Sequence, residues 1–443
     1  MKRTTLLFAA LCICSAAFAQ NGTEGRNWSF RDCINYAMEH NRNIIQGTLQ
    51  VEQREIALNS ARNSHLPAVS AGISQNCSFG RGLTADNTYA NTNTSNSSFS
   101  LGADMPIFQG LRISHNIALG KLDLEAATRD LENVRDEISI KVAQAYIQAL
   151  YNREILKVAN RQVEIDSLQV ARLEALLENG KSAPAEVAER KASLAQSRLT
   201  AVQAGNNLQL SLLELSQLLE LPSPEGFDIA SPSLSEDEIW LPESPEAIYE
   251  EAVEKKAGVK AEESRLAHAE RSIELARSGY LPTISLNGGL GSNYYTSSDR
   301  PSKAFFEQLG NNFSQYVGLS LNIPIFSRLT NRNQIRSAKV NLRSQQLRLD
   351  GAKQQLFKEI QQAWYNARAA AEKYRSSIQA EEAASENFTL IQARYENGKA
   401  TSTEFNEARN QYMKAGSDLI QARYEALFHR NLLTFYRGED MKM

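Results

Sequence analysis

Leu177-Glu178-Asn179-Gly180-Lys181 returns as Tyr395-Glu396-Asn397-Gly398-Lys399, displaced by 218 residues. Met105-Pro106-Ile107-Phe108 returns as Ile323-Pro324-Ile325-Phe326 at the same displacement, and Leu66-Pro67 as Leu281-Pro282 at 215. Three landmarks in one order and at nearly one offset mark an internal duplication. Its unit is far longer than the roughly 20–50 residues of a solenoid repeat. Upstream of the first Asn-Gly-Lys, residues 111–178 hold no proline and one glycine, Gly120. At ~1.5 Å per residue this run reads as one helix about 100 Å long. Leu156, Val163, Val170 and Leu177 stand seven apart, as do Leu342, Leu349, Leu356, Ala363 and Ala370 in the second long helix, 329–396. That spacing predicts a long seam against neighbouring helices with left-handed supercoiling. Gly180 and Gly398 suit the left-handed conformation that ends a helix. Returning helices over 183–219 and 402–437 make each copy a helical hairpin with a tight tip.

Before each long helix the period changes. Residues 31–64 and 244–279 read as helices. Val69, Ala71, Ile73, Cys77 and Phe79 then alternate with Ser70, Gly72, Ser74, Asn76 and Ser78. The stretches 97–107, 284–291 and 313–325 alternate in the same way. These are four strands of about ten residues, the length that crosses a bilayer when tilted near 45°. Residues 84–96 and 292–312 read as the loops joining each pair. Residues 221–245 hold five of the eleven prolines and separate the copies.

Residues 1–19 carry Lys2 and Arg3, a short apolar run and Ala17-Phe18-Ala19, the pattern of a secretory signal peptide. Neither Cys12 nor Cys14 follows the small residue that lipidation requires, so no lipid anchor is expected. The formal charge of −3 becomes −5 once this segment is removed, which offers no basic footprint for nucleic acid. No later run is apolar for 18 residues, so no membrane helix is expected. The reading divides the chain into signal peptide 1–19, a first repeat 31–221 (helix, two strands, long helix, tip, helix), a Pro-rich linker 222–243 and a second repeat 244–437.

Four membrane-length strands cannot close a barrel alone, and an open edge in lipid leaves backbone groups unpaired at several kcal/mol each. Closure must use further copies: two would give eight strands and a filled bore, three would give twelve and a water-filled lumen. A soluble sandwich beside coiled coils is the competing reading of the strands. No catalytic, metal or cofactor constellation is present. Gly180-Lys181-Ser182 echoes a phosphate loop but has Ala175 where a glycine is required. His40, His65, His115, His268 and His429 are scattered.

The chain resembles the TolC-like outer-membrane efflux proteins (outer membrane factors). The Leu-Pro entry to the first strand, the Pro-Ile-Phe exit from the second, the long helices, the Gly-ended tips and the duplication all match, over essentially the whole mature chain. The resemblance implies a mixed membrane protein, not an enzyme. Long coiled-coil hairpins and four transmembrane strands per subunit would close as a homotrimer into a 12-stranded β-barrel and a 12-helix tunnel. It implies an exit duct in the outer-membrane lipid with a long periplasmic extension. Its partners would be a periplasmic adaptor (membrane fusion) protein and an inner-membrane pump, in a tripartite efflux or type I secretion system. Cargo and pump class stay open, and the rival from another class is a structural or adhesive coiled-coil envelope protein.

The carboxylates after each tip are the candidate gate. Glu186 and Glu189 lie six and nine residues after Gly180, and Glu404 and Glu407 lie six and nine after Gly398. A spacing of three puts each pair on one helical face, and in a closed assembly a lumen-facing carboxylate becomes a ring of charge. The resemblance adds Tyr395, which matches a gate tyrosine, and puts Ala400 where the family carries a gate arginine. Thr401-Ser402-Thr403-Glu404 also reads as a capping box. Gly180, Lys181, Ser182, Gly398, Lys399, Ala400 and Thr401 are the expected adaptor-docking tips.

Overall fold

The computed structural model describes residues 27–84, 87–231 and 244–441. The signal peptide and most of the Pro-rich linker lie outside the described residues. In chain order the elements are β1 (Asn27–Trp28), α1 (Phe30–His40), α2 (Arg42–Asn63), β2 (Ala68–Ser78), β3 (Arg81–Leu83), β4 (Tyr89–Asn91), β5 (Thr94–Gln109), α3 (Arg112–Glu178) and α4 (Pro184–Leu218). Then follow β6 (Asp228–Ile229), α5 (Pro245–Lys255), α6 (Ala257–Arg277), β7 (Thr283–Ser297), α7 (Phe305–Asn311), β8 (Ser314–Asn322), α8 (Thr330–Glu396) and α9 (Ser402–Tyr436). The long helices are 67 residues each and the returning helices 35 each. Every one of their ends is displaced between copies by the same 218 residues.

Two compact units divide the chain. One, formed by residues 49–129 and 260–351, holds the strands. Its sheet runs β2-β5-β7-β8, antiparallel throughout, so two hairpins from different copies join through β5 and β7. The register lines up side chains in rows of one kind. Val69, Ala103, Gly288 and Val317 lie across from one another, as do Met105, Leu286 and Leu319. On the opposite face the rows are Gly72, Ser100, Gly291 and Ser314, then Ser74, Ser98 and Asn293. The apolar face is bare: Ile73 is 78% exposed and Val317 83%. Among the described residues, the outer strands β2 and β8 each have one edge with no strand partner. An apolar, open-edged sheet of this kind is an aggregation hazard in water.

Strand bounds depart from the sequence reading in instructive ways. Residues 94–96 and 292–297, expected as loop, extend β5 and β7 into their longest pairing. Residues 305–311, expected as loop, form helix α7, held to β7 because Gln308 both donates to and accepts from the Tyr295 backbone at 3.0 Å. Arg81–Leu83 and Tyr89–Asn91 pair as the short antiparallel β3–β4 ladder. β8 ends at Asn322, before Pro324, whereas the matching Pro106 sits inside β5 at a register shift. Proline cannot donate to a ladder, and a bulge is one of the few places a strand tolerates it.

The other unit comprises the described residues up to Thr48, Asp130–Val259 and those from Ala352 on. Here the helices expected over 31–64 and 244–279 are each two helices. Asn41 and Lys256 break them, with φ/ψ of −65/128 and −67/126. Asn41 repairs its own break: its side chain accepts from Asn43 N at 3.0 Å and donates to the Leu218 carbonyl at 3.0 Å. The core centres on Tyr146, 1% exposed, whose hydroxyl donates to the carbonyls of Trp28 (3.3 Å) and Ala230 (2.7 Å). Trp28 ends β1 and Ala230 follows β6, so one phenol proton is shared between carbonyls at the end of the parallel pair. Cys33 is fully buried alongside, and burial pushes its thiol up to about 12, which makes it inert packing. Of the heptad positions, Val170, Leu349, Leu356, Ala363 and Ala370 are buried.

Candidate functional site

Both tips are the same turn. Gly180 has φ +69° and Gly398 +68°. In each, the glycine N–H donates three residues back (to Leu177 and Tyr395, 2.9 Å) and the lysine N–H five back (to Leu176 and Arg394, 2.8 Å). This is the Schellman arrangement, which satisfies the helix's orphan carbonyls. The asparagine before each glycine adds a bond from its side-chain amide to a carbonyl four residues back, at Ala175 and at Ala393, both 2.7 Å. A Cβ at either glycine would meet nothing within 4 Å, so backbone conformation rather than space demands glycine.

After the turn the copies diverge. At Thr401 the capping box is complete: its hydroxyl accepts from Glu404 N (3.2 Å), and the Glu404 carboxylate accepts from the Thr401 backbone (2.7 Å) and hydroxyl (2.9 Å). Those donors hold the Glu404 carboxyl below the usual carboxylate range. The first copy has Ala183 at this position and no side-chain cap, with Pro184 supplying a preset first turn. Glu186 is therefore available elsewhere. It accepts from Ser182 Oγ at 2.9 Å and from the Tyr395 hydroxyl of the other hairpin at 3.0 Å. Glu189 likewise reaches across, accepting from Asn406 Nδ2 (3.0 Å) and Ser402 Oγ (3.3 Å). Glu407 is exposed. Of the expected gate residues, three (Glu186, Glu189 and Tyr395) thus meet in one cleft of about 590 Å³ between the hairpins.

The cleft also contains residues that the sequence did not single out. Arg190, 2% exposed, donates to Asn406 Oδ1 at 2.8 Å. Its guanidinium lies 4.8 Å from the Phe405 ring centre and 5.3 Å from that of Tyr395. Its Nη2 has no partner among the described residues. Further from the tip, Asp166 is 2% exposed and accepts from Arg409 (2.7 Å), Gln162 (2.9 Å) and Ser197. One carboxylate thereby ties α3, α4 and α9 together. A signal was present: Asp166 falls on the apolar seam between Val163 and Val170, where a charge needs a partner.

The chain matches the family described as outer membrane efflux protein over residues 33–220 and 248–439, two blocks that coincide with the copies. It is 23% identical to the outer membrane efflux protein BepC of Brucella suis over 87% of this chain and 79% of that protein. It is 24% identical to the outer membrane protein TolC of Escherichia coli over 84% and 74%. Among solved structures, the CmeC outer membrane channel of Campylobacter jejuni superposes with a TM-score of 0.77 at 16% identity, covering 96% of this chain and 92% of that one. The likeness to the solved channel is one of fold, and with the family model matched across most of its length the chain belongs to the outer membrane efflux protein family.

Proposed function

We propose that this protein is the outer-membrane exit duct of a tripartite efflux or type I secretion system, and that three copies form it. Its four strands would complete a 12-stranded barrel and its helices a 12-helix tunnel. The observation that carries the reading is the sheet: an apolar face open to solvent, a Ser/Gly/Asn face opposite, and two unpaired edges, in one chain with duplicated helical hairpins. Lipid and neighbouring copies answer each of those needs at once. The family is one of outer-membrane channels, not enzymes.

In this reading the turns Gly180-Lys181-Ser182 and Gly398-Lys399-Ala400-Thr401 meet a periplasmic adaptor, which couples the duct to an inner-membrane pump. The gate is held by the bond from Tyr395 to Glu186 and by the reach of Glu189 to α9. With Ala400 where the family carries arginine, Arg190 supplies the cation from the opposite hairpin, against Tyr395 and beside Asn406. Glu404 serves its capping box, and Glu407 is the carboxylate left to face a lumen. Opening breaks the contacts of Tyr395 and Arg190 as the hairpins part. Selection among small compounds, metal ions and polypeptides falls to the pump.

The test is reconstitution of detergent-extracted protein into a planar bilayer. Stable conducting steps and an oligomer resistant to mild denaturation are expected. A monomer that never conducts would overturn the reading.

A further inference from the structure

The unit that holds the sheet also presents two helical faces with nothing upon them. On α2, Leu49, Glu52, Ile56 and Asn59 follow helical spacing on one face, and all are exposed, Leu49 by 53% and Ile56 by 60%. On α8, Arg336, Val340, Arg343 and Leu347 do the same, with Val340 and Leu347 each 68% exposed. Each face lies opposite the one its helix already uses. Leu58 of α2 is buried at Gly120 of α3, where an added Cβ would stand 3.2 Å away. Gln345 and Leu349 of α8 are buried, and Gln345 donates to Glu262 of α6. Neither Glu52 nor Arg343 has an ion-pair or hydrogen-bond partner among the described residues.

The two faces belong to opposite edges of the sheet. α2 leads into β2 and α8 leaves β8, the two strands with unpaired edges. If the antiparallel order continues round a closed ring of copies, the strand that follows β8 is β2 of another copy. That pairing brings α2 of one copy against α8 of the next, antiparallel. Read in opposite chain directions, the two faces match in kind: Asn59 falls to Arg336, Ile56 to Val340, Glu52 to Arg343 and Leu49 to Leu347. The spans agree as well, about 15 Å from Asn59 to Leu49 and about 16 Å from Arg336 to Leu347 at ~1.5 Å per residue.

We infer that α2 of one copy packs on α8 of its neighbour in this register, with Glu52 and Arg343 forming an ion pair between two apolar contacts. The occupant of both faces is a second copy of this chain. The inference rests on closure by several copies and adds which residues meet. Apolar pairs flanking a charge pair fix both the contact and its register, because a slip of one turn sets Glu52 against an apolar side chain and exposes leucine.

The test is oxidation of Leu49→Cys with Leu347→Cys in a Cys77→Ser background, in outer-membrane vesicles, read on a denaturing gel. Cross-linked dimer and trimer bands are expected from this pair. None is expected from Leu49→Cys with Val340→Cys, which stand seven residues, about 10 Å, out of register and so outside disulfide reach. Glu52→Arg should lower the oligomer fraction, and adding Arg343→Glu to it should restore the oligomer. An intact oligomer without the in-register link, or with the displaced link instead, overturns the register alone. A wild-type chain with no oligomer in membranes overturns closure itself.

Discussion

Replacing Asp166 with alanine strands Arg409 in the tip bundle, and the cost follows from the geometry. Asp166 is 2% exposed and the Arg409 side chain 11%, so neither charge can fall back on water. Breaking one partner of such a pair costs about 3–5 kcal/mol, because the remaining charge stays buried. Gln162 and Ser197 would lose their acceptor as well. The loss is local to α3, α4 and α9, so the measurement should be local too. Amide hydrogen exchange around residues 160–200 and 405–415 of the detergent-solubilised protein should quicken by at least roughly 100-fold, since about 1.4 kcal/mol is tenfold. Exchange near Tyr146 should hold. Arg409→Leu alone should be about as damaging, whereas Asp166→Leu with Arg409→Leu should recover most of the loss, because no charge remains to be desolvated. Additive effects of the two single changes, or exchange that does not respond to Asp166→Ala, would refute the account of a coupled buried pair.

Tyr395→Phe removes the donor to Glu186 and keeps the ring against Arg190, so single-channel conductance should rise with little change in melting temperature; unchanged conductance would remove Tyr395 from the gate. Alanine at Gly180 or Gly398 should cost on the order of 1 kcal/mol through its left-handed backbone alone, seen as a lower thermal midpoint by circular dichroism; a larger loss would mean that packing rather than conformation governs the turn. Glu404 is held below its ordinary value of 4.5, so its capping contribution is present above that pH and fades as pH falls through the lowered value. Thr401→Ala removes the hydroxyl but keeps the backbone bond to Glu404, so it should weaken that pH dependence and cost about 1 kcal/mol at pH 7, checked by thermal melts at pH 7 and pH 3.

Much of this fold can be read from period and punctuation. Heptads free of proline give the long helices, glycine gives the tips, and alternation gives the strands. The breaks at Asn41 and Lys256 escape such reading because one extended residue leaves helical spacing on both sides intact, and neither residue is glycine or proline. The pairing of β5 with β7 joins segments nearly two hundred residues apart, which local period cannot express. At the tip, carboxylate spacing pointed to Glu186 and Glu189, but which of the four would bridge the hairpins depended on a cap. Thr401 engages Glu404, while Ala183 leaves Glu186 to Tyr395. Arg190 had no sequence signal, since its counterpart in the other copy is Ala408 and the duplication drew no attention to it.

The matched turns at Gly180 and Gly398 also carry a consequence for symmetry. In the proposed trimer that backbone turn would recur six times in one conformation, so main-chain groups at the rim would follow a near-sixfold pattern. The side chains do not, because Leu177 stands for Tyr395, Ala183 for Thr401 and Ala408 for Arg190. A partner that grips the turns would sense six equivalent sites, and one that reads side chains would sense three alternating pairs. A single rim can therefore seat components of two different stoichiometries without altering its fold.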